Sequence, residues 1–187
     1  MTAPTRPRLR WLHLGQLAVG VGGPPPAFHG LLKALAPGGE LAHLRPDLVL
    51  LTGDLARTGA EGEYAEVEAA LNALARATQL PMGRLVAVPG NRDVDRGRVS
   101  RRFVLNVPDA QAAAEFFAER EDVAVALRRF KPFLQFHKRV FNSLPDADHP
   151  FLARRLTVAG VSVGLAGINS AWLAHEDAAV GHLVVGR

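Results

Sequence analysis

The chain has 187 residues, of which 48% are hydrophobic and 21% charged, so its composition is that of one ordinary globular domain and excludes a disordered or collagen-like chain. No apolar run reaches the roughly 18 residues of a membrane-spanning helix, and no apolar stretch of a secretory signal follows the basic N-terminus. The absence of cysteine excludes disulfides and thiolate chemistry. We expect a cytoplasmic protein with an N-terminal tail at residues 1–8 and one domain at 9–187.

The charge balance is moderately basic. Lysine and arginine number 22 against 18 aspartate and glutamate residues, which gives a net charge of +4. This excess alone is weak support for a nucleic-acid partner, and we do not expect one. The arginines cluster at four positions, Arg96, Arg98, Arg101 and Arg102. This cluster is either a site for a phosphate-bearing partner or a solvated loop.

The first half of the chain alternates apolar runs with amphipathic segments. Residues 9–14, Leu48–Thr52 and Leu85–Val88 predict short strands that are buried on both faces. Residues 27–36 and 61–77 have helical spacing of apolar side chains, and acidic residues crowd the first turns of the second helix. The order strand, helix, strand, helix, strand predicts a parallel α/β sheet.

The second half of the chain is richer in phenylalanine. We expect an exposed loop at 95–108, helices at 110–117 and 123–141, a hairpin of two strands at 151–158 and 161–168, and a further strand at 182–185. Phenylalanine at helical spacing predicts core packing rather than a ligand site.

Polar residues follow each strand of the first half, where open α/β sheets bind ligands. Gln16 follows the first strand, Asp54 the second and Asn91 the third. A carboxylate and an amide on adjacent strand ends can share one hard cation. Taken singly, Gly-Asp and Gly-Asn are also common turn dipeptides, so each signal alone is weak.

Four segments together carry a more specific signal: LHLGQLAVG at 12–20, PDLVLLTGDLARTG at 46–59, RLVAVPGNRDVDR at 84–96 and GLAGINSAW at 164–172. In order and spacing they resemble the calcineurin-like metallophosphoesterases, in particular bacterial members with a Val-Pro-Gly-Asn-His-Asp-Val-Asp-Arg third motif. The resemblance implies a layered α/β fold, a β-sandwich flanked by helices. It also implies phosphoester hydrolysis at two divalent metals such as Mn, Fe or Zn, with a bridging solvent as the nucleophile.

The chain departs from this family at the metal ligands. Gln16 and Ala18 stand where the family has the Asp and His of its first motif. By the resemblance, Asp54 takes the place of the metal-bridging aspartate and Asn91 that of an amide ligand. Two donors are fewer than the four to six that a metal normally takes. We therefore expect no metal cofactor.

The resemblance also places Arg92 at the position of the catalytic histidine, with Asp93 as the residue that would orient it. A guanidinium does not release a proton near neutral pH, so Arg92 cannot act as a general acid. We expect its guanidinium to pair with Asp54 or Asp93 and replace the charge of the lost metals, the alternative being that it points to solvent.

The family's last ligands, a histidine and a Gly-His-x-His motif, would lie beyond the end of this sequence, and His175 and His182 do not match their pattern. We therefore expect a fold that is incomplete at the C-terminus, with an exposed strand edge near 161–168. A second copy, a partner chain or a downstream domain would cover that edge.

Two functions remain open. The first is a domain that has lost hydrolase activity and binds a partner chain or a ligand. The second is a metal-dependent phosphoesterase whose site another segment or chain completes. The internal substitutions at Gln16, Ala18 and Arg92 favour the first.

Overall fold

A computed structural model describes residues 8–98, 109–142, 152–158, 160–172 and 174 of the chain. Within these ranges the chain forms five strands and five α-helices. The arginines at 101 and 102, the histidines at 175 and 182 and the strand expected at 182–185 lie outside them. No helix in the described ranges combines the length and the apolar character needed to cross a membrane.

The first half forms the predicted parallel sheet. The strands are β1 (Trp11–Leu14), β2 (Leu48–Thr52) and β3 (Leu85–Val88), and the helices between them are α1 (Pro26–Leu35) and α2 (Glu63–Thr78). β2 lies in the middle and pairs in parallel with both neighbours, which confirms the order expected from the sequence. All three strands therefore end at the same edge of the sheet.

The two faces of this sheet bury different sets of side chains, because successive residues of a strand point in opposite directions. Val49, Leu51 and Ala87 pack in a cluster with apolar residues of α1 and α2. Leu48 and Val86 pack on the other face. Such strands, covered on both sides, explain the continuous apolar runs in the sequence.

The phenylalanine-rich region forms α3 (Ala110–Ala118), α4 (Arg120–Leu127) and α5 (Lys131–Phe141). The prediction of one helix over 123–141 is wrong, since a 3-10 turn at Arg128–Phe130 separates α4 from α5. Pro132 in the first turn of α5 explains the break, because it lacks the N–H that would continue the preceding helix. Phe133 and Phe136 are fully buried against α2, as the core prediction expected.

The last two strands form an antiparallel hairpin, β4 (Leu152–Val158) and β5 (Val161–Gly167). Gly160 in the turn has a positive φ of 77°, which a glycine adopts at little cost. Leu152 packs on Leu48 and Val86 of the parallel sheet. The hairpin thus forms a second layer over the sheet face opposite the helices, which agrees with the layered α/β fold expected from the sequence.

The burial expected for the first strand is wrong. β1 is an edge strand in the described part of the molecule, and its residues are only exposed or half-buried. The side chain of Trp11 is 59% exposed. β3 also lies at an edge of this sheet and is buried, because Leu152 of the hairpin packs on Leu48 and Val86, whereas no described hairpin residue packs on β1.

Candidate functional site

The site is built where the loops after β1 and β2 run side by side. The main-chain N–H of Gln16 donates to the carbonyl of Gly53 at 3.2 Å, and that of Ala18 donates to the carbonyl of Asp54 at 2.9 Å. Val19 continues the ladder with a bond to Leu55. The parallel pairing of β1 and β2 is therefore prolonged past the strand ends, and it places Gln16, Ala18 and Asp54 next to one another.

Three side-chain-bearing residues of these loops have left-handed backbone conformations. Gln16 has φ 56°, Ala18 φ 48° and Asp54 φ 55°. For a residue with a Cβ, this conformation costs roughly 1–2 kcal/mol relative to a right-handed one. Alanine has no side-chain hydrogen bond to offset that cost. The conformation is therefore imposed by the surrounding ladder, and such strain concentrates at functional sites.

The loop after β3 meets the loop after β2 through the buried carboxylate of Asp93. Its Oδ1 accepts hydrogen bonds from the main-chain N–H of Ala56 at 2.9 Å and from the Tyr64 hydroxyl at 3.2 Å. Its Oδ2 accepts from the N–H groups of Leu55 at 3.2 Å and Gly90 at 2.9 Å. This one side chain thus joins both loops and the start of α2.

Burial dominates the electrostatics of this carboxylate. Desolvation raises the pKa of Asp93 from 3.8 to about 6, although the three main-chain hydrogen bonds act in the opposite direction. Burial also raises the pKa of Tyr64 well above its usual range, and the neighbouring Asp93 charge adds to the effect. Tyr64 therefore stays a neutral donor at physiological pH.

Asp54 is also buried, with 7% of its surface exposed. Its Oδ1 accepts a hydrogen bond from the main-chain N–H of Arg92 at 3.0 Å. Gly90 is required beside it, because a Cβ there would overlap Oδ1 and the main-chain nitrogen of Asp54. Oδ2 of Asp54 accepts no hydrogen bond from the described residues.

The predicted ion pair of Arg92 is wrong. The side chain of Arg92 is exposed, and within the described ranges its guanidinium bonds neither Asp54 nor Asp93. The Asp93 carboxylate is already bound by three main-chain N–H groups. Asp54 accepts the main-chain N–H of Arg92, and the side chain of that residue extends to solvent instead.

A pocket of about 660 Å³ opens at the carboxyl ends of β2 and β3, between the parallel sheet and the hairpin. Its polar lining consists of Gln16, Thr52, Asp54, Asn91 and Ser170. Its apolar lining includes Leu50, Val86, Val88, Leu165 and Ile168. Gln16, Asp54 and Asn91, all predicted from the sequence, thus lie around one cavity, whereas Ala18 and Arg92 are not among the described residues that line it.

Sequence reasoning missed Ile168 and Ser170, and it noted Thr52 only as part of the polar segment at the end of the second strand. The Thr52 hydroxyl lies 2.7 Å from Nε2 of His13, and Ile168 is 53% exposed. Thr52 is the last residue of β2, and a polar residue at that point is a readable signal. Ile168 and Ser170 lie within the 164–172 motif, although nothing in their residue type indicates a pocket.

The described residues do not provide the donors for two divalent metals. They contain no cluster of three His, Cys, Asp or Glu side chains able to hold a metal. Ala18 offers no donor atom, and Gln16 and Asn91 offer only neutral amide oxygens beside the single carboxylate of Asp54.

The arginine cluster is only partly described, and one of its members is already engaged. Arg98 bonds Glu61 at 2.6 Å and Asp95 at 2.8 Å, so its charge is neutralised by two carboxylates. Arg96 starts a 3-10 turn, Arg96–Arg98. The prediction of a phosphate site in which Arg98 takes part finds no support in these contacts.

Comparison with known proteins gives one finding. The family model for calcineurin-like phosphoesterases matches residues 12–183, which is nearly the whole chain. A search among curated proteins gave no significant match.

The contacts of Arg92 lead to a first prediction. Because only its main-chain N–H bonds Asp54, Arg92→Ala should change the free energy of unfolding by no more than about 0.5 kcal/mol. Arg92→Pro removes that N–H and should destabilise the protein by about 1–3 kcal/mol. Urea unfolding of both variants measures the difference. Equal destabilisation by the two would mean that the guanidinium, not the main chain, stabilises the loop.

Asp93 leads to a second prediction. Asp93→Ala leaves two buried main-chain N–H groups and one partly buried N–H group without an acceptor, so it should lower the free energy of unfolding by more than about 3 kcal/mol. Asp47→Ala is the matched control, because that carboxylate accepts from the N–H of exposed Arg10, and it should cost about 1 kcal/mol or less.

The raised pKa of Asp93 also predicts how the stability of the protein changes with pH. Between 3.8 and about 6 the folded state binds more protons at this site than the unfolded state does, so its contribution to stability falls as the pH rises through that interval. Asp93→Asn should remove this dependence. Urea midpoints measured across the interval test it, and identical pH profiles for the two proteins would contradict the assignment.

Proposed function

Because the chain belongs to the calcineurin-like phosphoesterase family, we propose that it is a member that has lost hydrolase activity and uses its loop site to bind a partner chain or a ligand. The observation that carries this proposal is the chemistry around Asp54. The ladder between the first two loops places Gln16 and Ala18 beside this carboxylate, where a metal-binding site would need charged or imidazole donors.

The position of Arg92 supports the same proposal. By the resemblance, Arg92 occupies the position of the family's catalytic histidine. Its side chain is a permanently charged, exposed guanidinium. It can neither donate a proton to a leaving group nor accept one near neutral pH. The backbone of the loop is nonetheless held in place by Asp54 and Asp93, so the site keeps a defined shape.

The alternative is a metal-dependent phosphoesterase whose missing ligands another segment or chain supplies. The family membership favours it, and Asp54 with Asn91 would then contribute two of the ligands. The substitutions at Gln16, Ala18 and Arg92 count against it, because added ligands from elsewhere would restore neither the first motif nor the histidine.

The hairpin supports the partner-binding part of the proposal. Among the described residues, β4 and β5 pair only with each other, so this layer has open strand edges. Ile168 directly after β5 is 53% exposed. Open edges with apolar residues beside them are usually covered in the assembled protein. We propose that a second copy or another chain covers this edge.

The cytoplasmic location stays a prediction.

A third prediction concerns activity. The purified chain should hold no stoichiometric Mn, Fe or Zn, and it should not cleave a chromogenic phosphodiester in added Mn²⁺, since one carboxylate and neutral amides bind such ions weakly. Metal content by mass spectrometry and a continuous hydrolysis assay measure the two properties. Asp54→Ala is the matched control for the background rate.

The same assay decides between the two functions. Metal-dependent turnover by the unaltered chain that Asp54→Ala abolishes would overturn the proposal and establish the hydrolase. As a check on the loop geometry, the double variant Gln16→Asp with Ala18→His should bind Mn²⁺ measurably more tightly than the unaltered chain, because it places a carboxylate and an imidazole beside Asp54.

A fourth prediction concerns assembly. If the hairpin edge is covered by a second copy, light scattering after size-exclusion chromatography should give a mass above that of the 187-residue monomer. Ile168→Glu should shift the equilibrium toward the monomer, because it places a charge in the apolar part of the contact. A monomer at high micromolar concentration, unaffected by the substitution, would exclude self-association through this edge.

A further inference from the structure

The pocket beside Asp54 is lined by one charged side chain and several neutral ones. Of the described residues that line it, Asp54 alone is charged, and it is an anion. Gln16, Asn91, Thr52 and Ser170 add neutral amide and hydroxyl groups that can both accept and donate hydrogen bonds. Without metal ions, the charge of Asp54 disfavours a phosphate and favours a ligand that carries positive charge.

Three main-chain N–H groups around the pocket are engaged within the protein. The N–H of Gln16 bonds the carbonyl of Gly53, and that of Gly90 bonds Asp93. The N–H of Arg92 bonds Asp54 itself. A phosphate cradle requires several main-chain N–H groups that converge on an open space. These three are already used within the protein.

Asp54 itself is incompletely paired. It is more than nine-tenths buried, yet the described residues give its carboxylate one hydrogen bond, on Oδ1. Oδ2 accepts no hydrogen bond from the described residues, so a cationic donor that reaches it gains a charge-assisted hydrogen bond. The pocket beside it is open and has the size of a typical ligand site.

The apolar part of the lining indicates what should carry the cation. Leu50, Val86 and Leu165 line the same cavity as Asp54, and exposed Ile168 also contributes. Arginine and lysine side chains combine an alkyl stem that packs on apolar surface with a charged end that donates hydrogen bonds. The lining therefore matches both parts of such a side chain.

We propose that this pocket takes up a cationic side chain, an arginine or lysine, from a partner chain, with Asp54 as the counter-charge and the amides of Gln16 and Asn91 as further acceptors. This inference rests on the proposed function, because a pocket filled by two metals would select the opposite charge. The ligand beside Asp54 is thus a cationic side chain, and a phosphate is not expected to bind there.

Binding of three capped tripeptides tests the inference. Ala-Arg-Ala carries the cation, Ala-citrulline-Ala has nearly the same shape without the charge, and Ala-phosphoserine-Ala carries a phosphate. In titrations followed by NMR, only the arginine peptide should bind saturably with shifts at residues 165–171. Asp54→Asn should weaken that binding by at least about tenfold, because it removes a charge-assisted hydrogen bond.

A second variant tests the pocket without altering the Asp54 loop. Ile168→Lys leaves Asp54 intact and adds a cation at the edge of the pocket, so it should weaken the arginine peptide severalfold. Val21→Lys is the matched control, because Val21 is 75% exposed outside the lining, and it should leave binding unchanged. If Ile168→Lys lowers the affinity and Val21→Lys does not, the result supports the pocket as the binding site.

The outcomes separate this inference from the proposed function. Equal binding of the arginine and citrulline peptides, preference for the phosphoserine peptide, or affinity unchanged by Asp54→Asn would overturn the inference, even with no hydrolysis. Mn²⁺-dependent turnover that requires Asp54 would overturn the proposed function itself, whatever the peptides do.

Discussion

The described site depends on the hydrogen bonds of one buried carboxylate. Asp93 accepts from three main-chain N–H groups and one hydroxyl, and these donors come from the loop after β2, the loop after β3 and the start of α2. No other described side chain connects these three parts of the molecule. Because the carboxylate is fully buried, its bonds are protected from competing water, and the loops they hold become a fixed frame for Asp54.

The two aspartates of the site illustrate opposite uses of burial. Asp93 has four donors around its two oxygens, so its burial serves the fold. Asp54 lies in the adjacent loop, is nearly as buried, and has one donor. Its Oδ1 holds the loop after β3, and its Oδ2 is left for an incoming group, which meets an acceptor that needs no reorganisation. This contrast is what makes Asp54, rather than Asp93, the centre of the proposed site.

Much of the fold was predictable, for reasons visible in particular elements. β2 and β3 agree with the prediction to the residue, because strands covered on both faces leave continuous apolar runs between Gly and Pro residues. β1 has a similar run, yet no described residue of the hairpin packs on it, and a sequence does not show which strands of a sheet a second layer covers. The break before α5 was readable from Pro132 and was missed because the apolar spacing continues across it.

The site was predictable in its positions and less so in its contacts. Gln16, Asp54 and Asn91 do line one cavity, since the carboxyl ends of parallel strands meet at one edge. The partners of Asp54 and Asp93 were not predictable, because a sequence shows which side chains carry charge and not which main-chain N–H groups turn toward them. The expected role of the Arg92 guanidinium failed for this reason, since its amide makes the bond instead.

The left-handed conformation of Ala18 has a consequence for the history and redesign of this loop. An alanine does not choose φ 48° by itself, so the backbone here is set by its neighbours and is independent of the side chain it carries. An unbranched residue can therefore replace Ala18 at a similar backbone cost, whereas a β-branched residue would add strain. A loop of this kind can lose one chemistry and acquire another through single substitutions, and the change is in principle reversible.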